Sequence, residues 1–127
     1  MTISTAVVGY GIAGRVFHAP LIAADPAYRL DTLLTASPER AAAAAADHPD
    51  ARVVPDLDSV LDGPDVPDLV VIATPHETHV PFTRRALDAG ADVVVDKPIA
   101  TRFDEAAELV EHAARLGRRL TVFQNRR

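Results

Sequence analysis

The stretch Val7-Val8-Gly9-Tyr10-Gly11-Ile12-Ala13-Gly14 decides the fold of this chain: an apolar run ends in glycines spaced G-x-G-x-x-G, and a helical pattern follows at once. A strand that turns into a helix through such glycines is built to receive a pyrophosphate. The first glycine permits the tight turn, the second lets the backbone approach phosphate without a Cβ in the way, and the third lets helix and strand pack closely. Backbone N–H groups and the positive end of the helix dipole then face the anion. S-adenosylmethionine enzymes, FAD enzymes and plain tight turns share the spacing, so the motif by itself is weak. Three of the six glycines fall within it, which argues against coincidence. On this reading Gly9, Tyr10, Gly11, Ile12, Ala13 and Gly14 line a dinucleotide site.

Outward from that turn, strands alternate with helices. Ile3 to Val8 reads as a buried first strand. The helix after the glycines carries Val16, Phe17, Leu21 and Ile22 on its apolar side, and Pro20 is expected to bend or restart it. Leu30 to Ala36 reads as the second strand. Ser37, Pro38 and Glu39 then supply an N-cap, a first helical position and a first-turn acid for a helix through the alanines at 41 to 46. Ala51 to Val54 is a weak third strand, and Asp56 to Leu61 a short helix closed by Gly63. Beyond a turn-rich loop over 63 to 68, Leu69 to Ala73 is continuously apolar, as suits a central parallel strand covered on both faces. Thr78 can cap the next helix, with Pro81 in its first turn and Gly90 at its end. Asp92 to Val95 is the fifth strand. Thr101 and Asp104 have the spacing of a capping box, and Phe103, Ala106, Ala107, Val110, Ala113, Ala114 and Gly117 fall on one helical face. Leu120 to Phe123 is the sixth strand.

This alternation predicts an α/β fold, a doubly wound parallel sheet of the Rossmann type with six strands in the order 3-2-1-4-5-6. A ligand belongs at the carboxyl ends of strands one and four, where the winding reverses. Gly9 to Gly14, Thr74 to His79, Asp96 to Pro98 and Gln124 to Asn125 all follow strands at that edge.

Composition narrows the chemistry. The 127 residues suit one domain, and a net charge of −5 gives no basic field for nucleic acid or an anionic membrane. Without cysteine there is no disulfide, thiolate metal site or cysteine nucleophile, and the five histidines lack metal-binding spacing, so no metal is expected. Strand-sized apolar runs and the lack of a signal pattern point to a cytoplasmic protein. Twelve of the thirteen basic residues are arginine, and the only lysine is Lys97. An amine can give up its proton where a guanidinium does not, which marks Lys97 for chemistry; a leftover surface lysine is the alternative.

At Ala73-Thr74-Pro75-His76-Glu77-Thr78-His79 and Val93-Val94-Val95-Asp96-Lys97-Pro98 the chain resembles the Gfo/Idh/MocA family, whose N-terminal domain runs from the glycine motif through T-P-x-x-x-H to E-K-P. The stretches Phe17-His18-Ala19-Pro20 and Val122-Phe123-Gln124-Asn125-Arg126-Arg127 look most like one oxidoreductase branch within it. The resemblance implies NAD(P)-dependent hydride transfer on a sugar, polyol or related hydroxyl compound, with the lysine of E-K-P, here Lys97, beside nicotinamide and substrate. Asp96 replaces the usual glutamate and could oppose proton loss from Lys97 if it turns inward; Pro98 leaves the Lys97–Pro98 bond open to either isomer. Thr74 and Pro75 would line the cofactor cleft, with His76 in place of a frequent asparagine, and His79 would cap or contact the ribose region. Gln124 and Asn125 would reach the nicotinamide or substrate, with a hinge role as the alternative. For both histidines a buried, hydrogen-bonded role at the helix start competes with ligand contact.

In the stretch Leu34-Thr35-Ala36-Ser37-Pro38-Glu39-Arg40 no carboxylate stands where the second strand ends, the place at which an NAD site binds the ribose hydroxyls, although Glu39 shortly after counts against a phosphate. Thr35 and Ser37 can donate hydroxyl hydrogen bonds and Arg40 can pair with a phosphate, so NADP is favoured over NAD. Family members continue into a second domain that covers the cofactor and mediates oligomerisation. The expectation is therefore that residues 1–127 are the dinucleotide-binding domain alone, inactive without that partner domain, with a sticky cleft edge and a mobile tail from Asn125 to Arg127; the full-length form would be a homo-oligomer. A non-catalytic nucleotide-sensing or scaffold domain is the competing reading, and a methyltransferase leaves Asp96-Lys97-Pro98 without a purpose.

Overall fold

The computed structural model describes residues 2–11, 13–62 and 65–123, apart from the side chains of Ala13 and Phe17. The expectations placed on Ile12, on closure by Gly63, on Gln124 and Asn125 and on the tail to Arg127 lie outside the described residues. So do those placed on the side chains of Ala13 and Phe17.

Six strands, β1 (Ile3–Val8), β2 (Tyr28–Leu34), β3 (Arg52–Val54), β4 (Leu69–Ile72), β5 (Asp92–Asp96) and β6 (Leu120–Phe123), form one parallel sheet. Their order is β3-β2-β1-β4-β5-β6, as the alternation of apolar runs requires. The helices are α1 (Ala19–Ala24), α2 (Pro38–Asp47), α3 (Leu57–Leu61), α4 (His79–Asp88) and α5 (Phe103–Leu116). Strands β1, β4 and β5 bury both faces. On one side Ala6, Val8, Val70, Ile72, Val93 and Val95 pack under Leu57 and Val60 of α3, Ala86 and Leu87 of α4 and Ala113 of α5. On the other, Val7, Leu33 and Val71 pack under Ala19 of α1 and Ala44 of α2. Each such aliphatic side chain contributes about 1.5–3 kcal/mol of burial free energy, so the centre of the sheet is its most rigid part and the place from which a site is best held.

Several local expectations are corrected. Strand β2 begins and ends two residues early, at Tyr28 and Leu34, because β1 supplies ladder partners only from Ile3 opposite Tyr28 to Val8 opposite Leu34. Beyond it the Thr35 hydroxyl accepts the Ser37 N–H at 3.2 Å and turns the chain. Within β2, Leu30 pairs with Thr5 but Thr32 pairs with Ala6, so Asp31 is an extra residue, a β-bulge. Val16 and Leu21 are exposed rather than apolar-side residues. A π-helical turn over Ala13–His18 precedes α1 and shifts the helical phase, leaving Ala19 and Ile22 to face the sheet. Pro20 falls in the first turn of α1, where it restarts the helix.

Thr78 does not cap α4. Its hydroxyl donates to the Pro75 carbonyl at 2.6 Å within a 3-10 turn, His76–Thr78, that leads into the helix. Nor does Thr101 form a capping box: α5 starts at Phe103, and the Asp104 carboxylate accepts the Arg102 guanidinium at 2.8 and 3.1 Å instead. The buried face of α5 is centred on Leu109 and Ala113, while Phe103 and Val110 are exposed. Two cross-helix pairs fix that rotation, His112 with Asp88 at 2.6 Å and Glu108 with Arg84.

Candidate nucleotide-binding site

The three glycines of the motif are required for different reasons. Gly9 has φ +105°, and a Cβ there would lie 2.5 Å from the Ala73 carbonyl oxygen. Its N–H donates to the Leu34 carbonyl and the Ala73 N–H to that of Val8, at 2.9 and 2.8 Å, so the ends of β1, β2 and β4 converge on it. A Cβ on Gly14 would lie 2.0 Å from the Gly9 carbonyl oxygen. Gly11 is different: a Cβ there would meet nothing closer than Arg40 Nη1 at 3.9 Å. Packing within the chain accounts for Gly9 and Gly14, and leaves the bare backbone of Gly11 facing open space beside a guanidinium. A bare backbone of this kind is one that a pyrophosphate can approach closely.

At the tip of β2, Thr35 is buried, and the Ser37 hydroxyl accepts the Arg40 N–H at 3.3 Å as the N-cap of α2. Pro38 and Glu39 take the first helical positions, as read from the sequence. This geometry aims the start of α2, with exposed Arg40, toward the glycine turn. Among the described residues the Arg40 guanidinium has no carboxylate partner. Tyr10 behaves otherwise. Its ring is 2% exposed and its hydroxyl donates to Asp47 at 2.6 Å, an oxygen that also accepts from Arg15 at 3.1 Å. Burial, then the bond to Asp47, pushes the phenol up to about 12, and the same bond holds the Asp47 carboxyl below the usual carboxylate range. The Tyr10 side chain thus anchors the turn to α2, and only its backbone is left for a ligand.

At the carboxyl end of β4, Thr74 is half-buried and Pro75 and His76 are exposed on the rim. His79 is fully buried, with Nδ1 2.6 Å from the Pro98 carbonyl oxygen and Nε2 2.8 Å from that of Thr74. Of the two roles left open for His79, this is the buried one: its ring nitrogens face backbone carbonyls of the β4 loop and of the lysine loop. The Lys97–Pro98 peptide is cis, and Lys97 and Pro98 are exposed. Asp96 does not turn toward its neighbour. Its carboxylate lies 2.7 Å from His18 Nε2, and the two side chains are 18% and 6% exposed. The His18 ring also meets Phe123 edge-on, centroids 4.5 Å apart.

The structure therefore brings Gly9, Tyr10, Gly11, Gly14, Ser37, Arg40, Thr74, Pro75, His76, Asp96, Lys97 and Pro98 to one edge of the sheet, and places Thr35 and His79 beneath it. His18 is the participant that residue reasoning passed over. Its partner is 78 positions away, and only the strand order, which sets β1 and β5 on either side of β4, makes the two close.

Similarity to known proteins agrees with this arrangement. The oxidoreductase family with an NAD-binding Rossmann fold, Gfo/Idh/MocA, matches residues 3–124. The uncharacterized oxidoreductase YdgJ of Escherichia coli (strain K12) is 43% identical over 125 residues, covering 98% of this chain and 35% of the relative. The scyllo-inositol 2-dehydrogenase (NADP(+)) IolW of Bacillus subtilis (strain 168) is 34% identical over 126 residues, covering 99% of this chain and 34% of the relative. The WlbA dehydrogenase of Bordetella pertussis, solved with NADH and UDP-GlcNAcA, superimposes with a TM-score of 0.89 at 32% identity, over 100% of this chain and 38% of that one. The chain thus spans about a third of the length of the curated relatives it matches. With the glycine turn, the strand order and the lysine loop all in place, the chain belongs to the Gfo/Idh/MocA oxidoreductase family.

Proposed function

We propose that these residues are the cofactor-binding unit of an NAD(P)-dependent oxidoreductase acting on a sugar, polyol or related hydroxyl compound. The observation that carries the reading is Gly11, the one motif glycine whose missing side chain serves no close contact among the described residues. Arg40 beside it supports NADP over NAD, since a guanidinium can pair with a 2′-phosphate and β2 itself ends without a carboxylate, with Glu39 in the first turn of α2 as the opposing charge. The substrate class is supported by the relatives, one named for scyllo-inositol and one solved with a nucleotide sugar.

A bound nicotinamide would supply hydride acceptance and donation; the remaining work falls to side chains. Lys97, exposed at the end of β5, holds the reacting hydroxyl and takes its proton as the alcohol is oxidised, returning it in the reverse direction. His79 fixes the distance between the Thr74 and Pro98 carbonyls, so the lysine loop keeps its place against the β4 loop. Thr74, Pro75 and His76 form the rim, with Gln124 and Asn125 assigned to the nicotinamide end. Covering the substrate and forming the oligomer are assigned to residues beyond these 127, a division supported by the greater length of the relatives. A sensing or scaffold domain would use Gly11 equally but has no need of an exposed lone lysine.

Cofactor titration tests the site. The parent chain should bind NADPH more tightly than NADH, and Gly11→Ala should weaken both by at least about tenfold with an unchanged unfolding midpoint. Equal affinity before and after the substitution would remove the site. In a protein extended to the length of its relatives, Lys97→Arg should lose about a hundredfold in turnover with cofactor affinity intact. Substrate-dependent cofactor reduction by the 127 residues alone would overturn the proposed division of labour.

A further inference from the structure

Asp96 and Lys97 are adjacent in the chain, their Cα atoms about 3.8 Å apart. A carboxylate left beside an amine favours the protonated amine and competes with substrate for it. The Asp96 carboxylate instead faces the other way, 2.7 Å from His18 Nε2. The His18 ring has little room to leave that position. It is 6% exposed, it meets Phe123 of β6 edge-on, and it belongs to the π-helical turn after the glycine motif. A single imidazole thus ties the helix after the glycine turn to the ends of β5 and β6. Among the described residues no carboxylate contacts Lys97.

We propose that His18 is a positioning residue that draws the Asp96 carboxylate away from Lys97 and keeps the Lys97 amine available to substrate. The inference rests on the assignment of Lys97 as the group that meets the hydroxyl, but its readout needs neither substrate nor cofactor. Because Lys97 is the sole lysine, the chain has only two amines, this one and the α-amino group at Met1. Trace acylation at mildly alkaline pH, with the two labelled peptides quantified by mass spectrometry, reports the reactivity of Lys97 against an internal reference.

His18→Leu keeps bulk against Phe123 but cannot donate to Asp96, and should slow acylation of Lys97 about threefold relative to the α-amine, as the carboxylate turns to its remaining neighbour. His18→Gln keeps a donor and should stay within about twofold of the parent. The decisive chain is His18→Leu with Asp96→Asn, where the charge that His18 restrains is gone; its Lys97 rate should return to the parent value. An unchanged rate in folded His18→Leu would overturn the proposal. So would a slow rate that persists in the double variant, because that marks lost packing rather than a released carboxylate. If His18→Leu does not fold, slowing of Lys97 in His18→Gln or in Asp96→Asn alone would overturn it too. A lengthened protein without dehydrogenase activity would leave all these rates as they are, so the two readings fail separately.

Discussion

The two edges of the sheet present opposite surfaces. A concavity of about 730 Å³ lies at the amino ends of the strands and is lined by Ser4, Arg29, Asp31, Arg52 and Asp68 among others. Its main groups are engaged with one another. Asp31 accepts from Arg29 Nε at 2.6 Å and from the Ser4 hydroxyl, and Asp68 accepts the Ser4 N–H at 3.0 Å. The Arg29 guanidinium holds the Asp31 carboxyl below its usual range. At the carboxyl ends, Gly11 meets nothing closer than Arg40 among the described residues, and neither Arg40 nor Lys97 has a carboxylate partner there. The amino edge spends its polar groups on one another, whereas the proposed cofactor edge keeps donors unspent.

The largest effect expected from disturbing that contrast is at Gly14. Its missing Cβ would sit 2.0 Å from a backbone oxygen, with no flexible side chain to move aside, so Gly14→Ala should cost at least about 3 kcal/mol in denaturant unfolding. A parent-like midpoint would mean the turn can rearrange. Set beside Gly11→Ala, which should spare the fold and remove the ligand, it separates the two meanings of glycine in one motif. Arg40→Ala comes next: NADP affinity should fall about tenfold while NAD affinity holds, and equal losses would reduce Arg40 to general electrostatics.

Tyr10→Phe should cost about 1 kcal/mol at neutral pH through its lost bond to Asp47. The phenol titrates higher when folded, up to about 12 from 10.0, so its contribution is complete below pH 10.0 and fades as pH rises through 12. Asp47 has the opposite sign. Its carboxyl is held low, so its contribution is present above the ordinary carboxylate range and lost as pH falls through the folded value. The stability gap between parent and Tyr10→Phe should therefore narrow at both extremes, and a pH-independent gap would assign the cost to packing. Smallest of all is Arg29→Ala at the amino edge. It should leave the unfolding midpoint close to the parent's and cofactor titration curves superimposable, as suits an exposed scaffold edge.

The strand order and the edge of the site were readable because each apolar run is bounded by turn formers and because glycine, Thr-Pro and Asp-Lys-Pro segments each follow a strand. What escaped reading depended on partners distant in sequence. Alanines at 106, 107, 113 and 114 make the apolar arc of α5 too broad to orient the helix, and Asp88 and Arg84 on α4 choose the face. Thr78 and Thr101 carry cap-like spacing, but a nearer carbonyl takes the first hydroxyl and α5 starts too late for the second. For His79 the residues left a buried role and a ligand contact both open, because the carbonyls that its ring meets are five and nineteen positions away.

The bulge at Asp31 sets the phase of β2 against both layers. In an unbroken strand Leu30 and Leu33 would point to opposite faces; the extra residue lets both join the layer beneath α1 and α2, while Leu34 serves the other layer. Phase is thus corrected locally, in a single step, at a residue whose side chain lies on the scaffold edge. An insertion or deletion elsewhere in β2 would invert every side chain beyond it. At this position the extra residue is accommodated with the downstream ladder from Thr32 to Leu34 intact, so the turn that follows β1 keeps its place beside the end of β2.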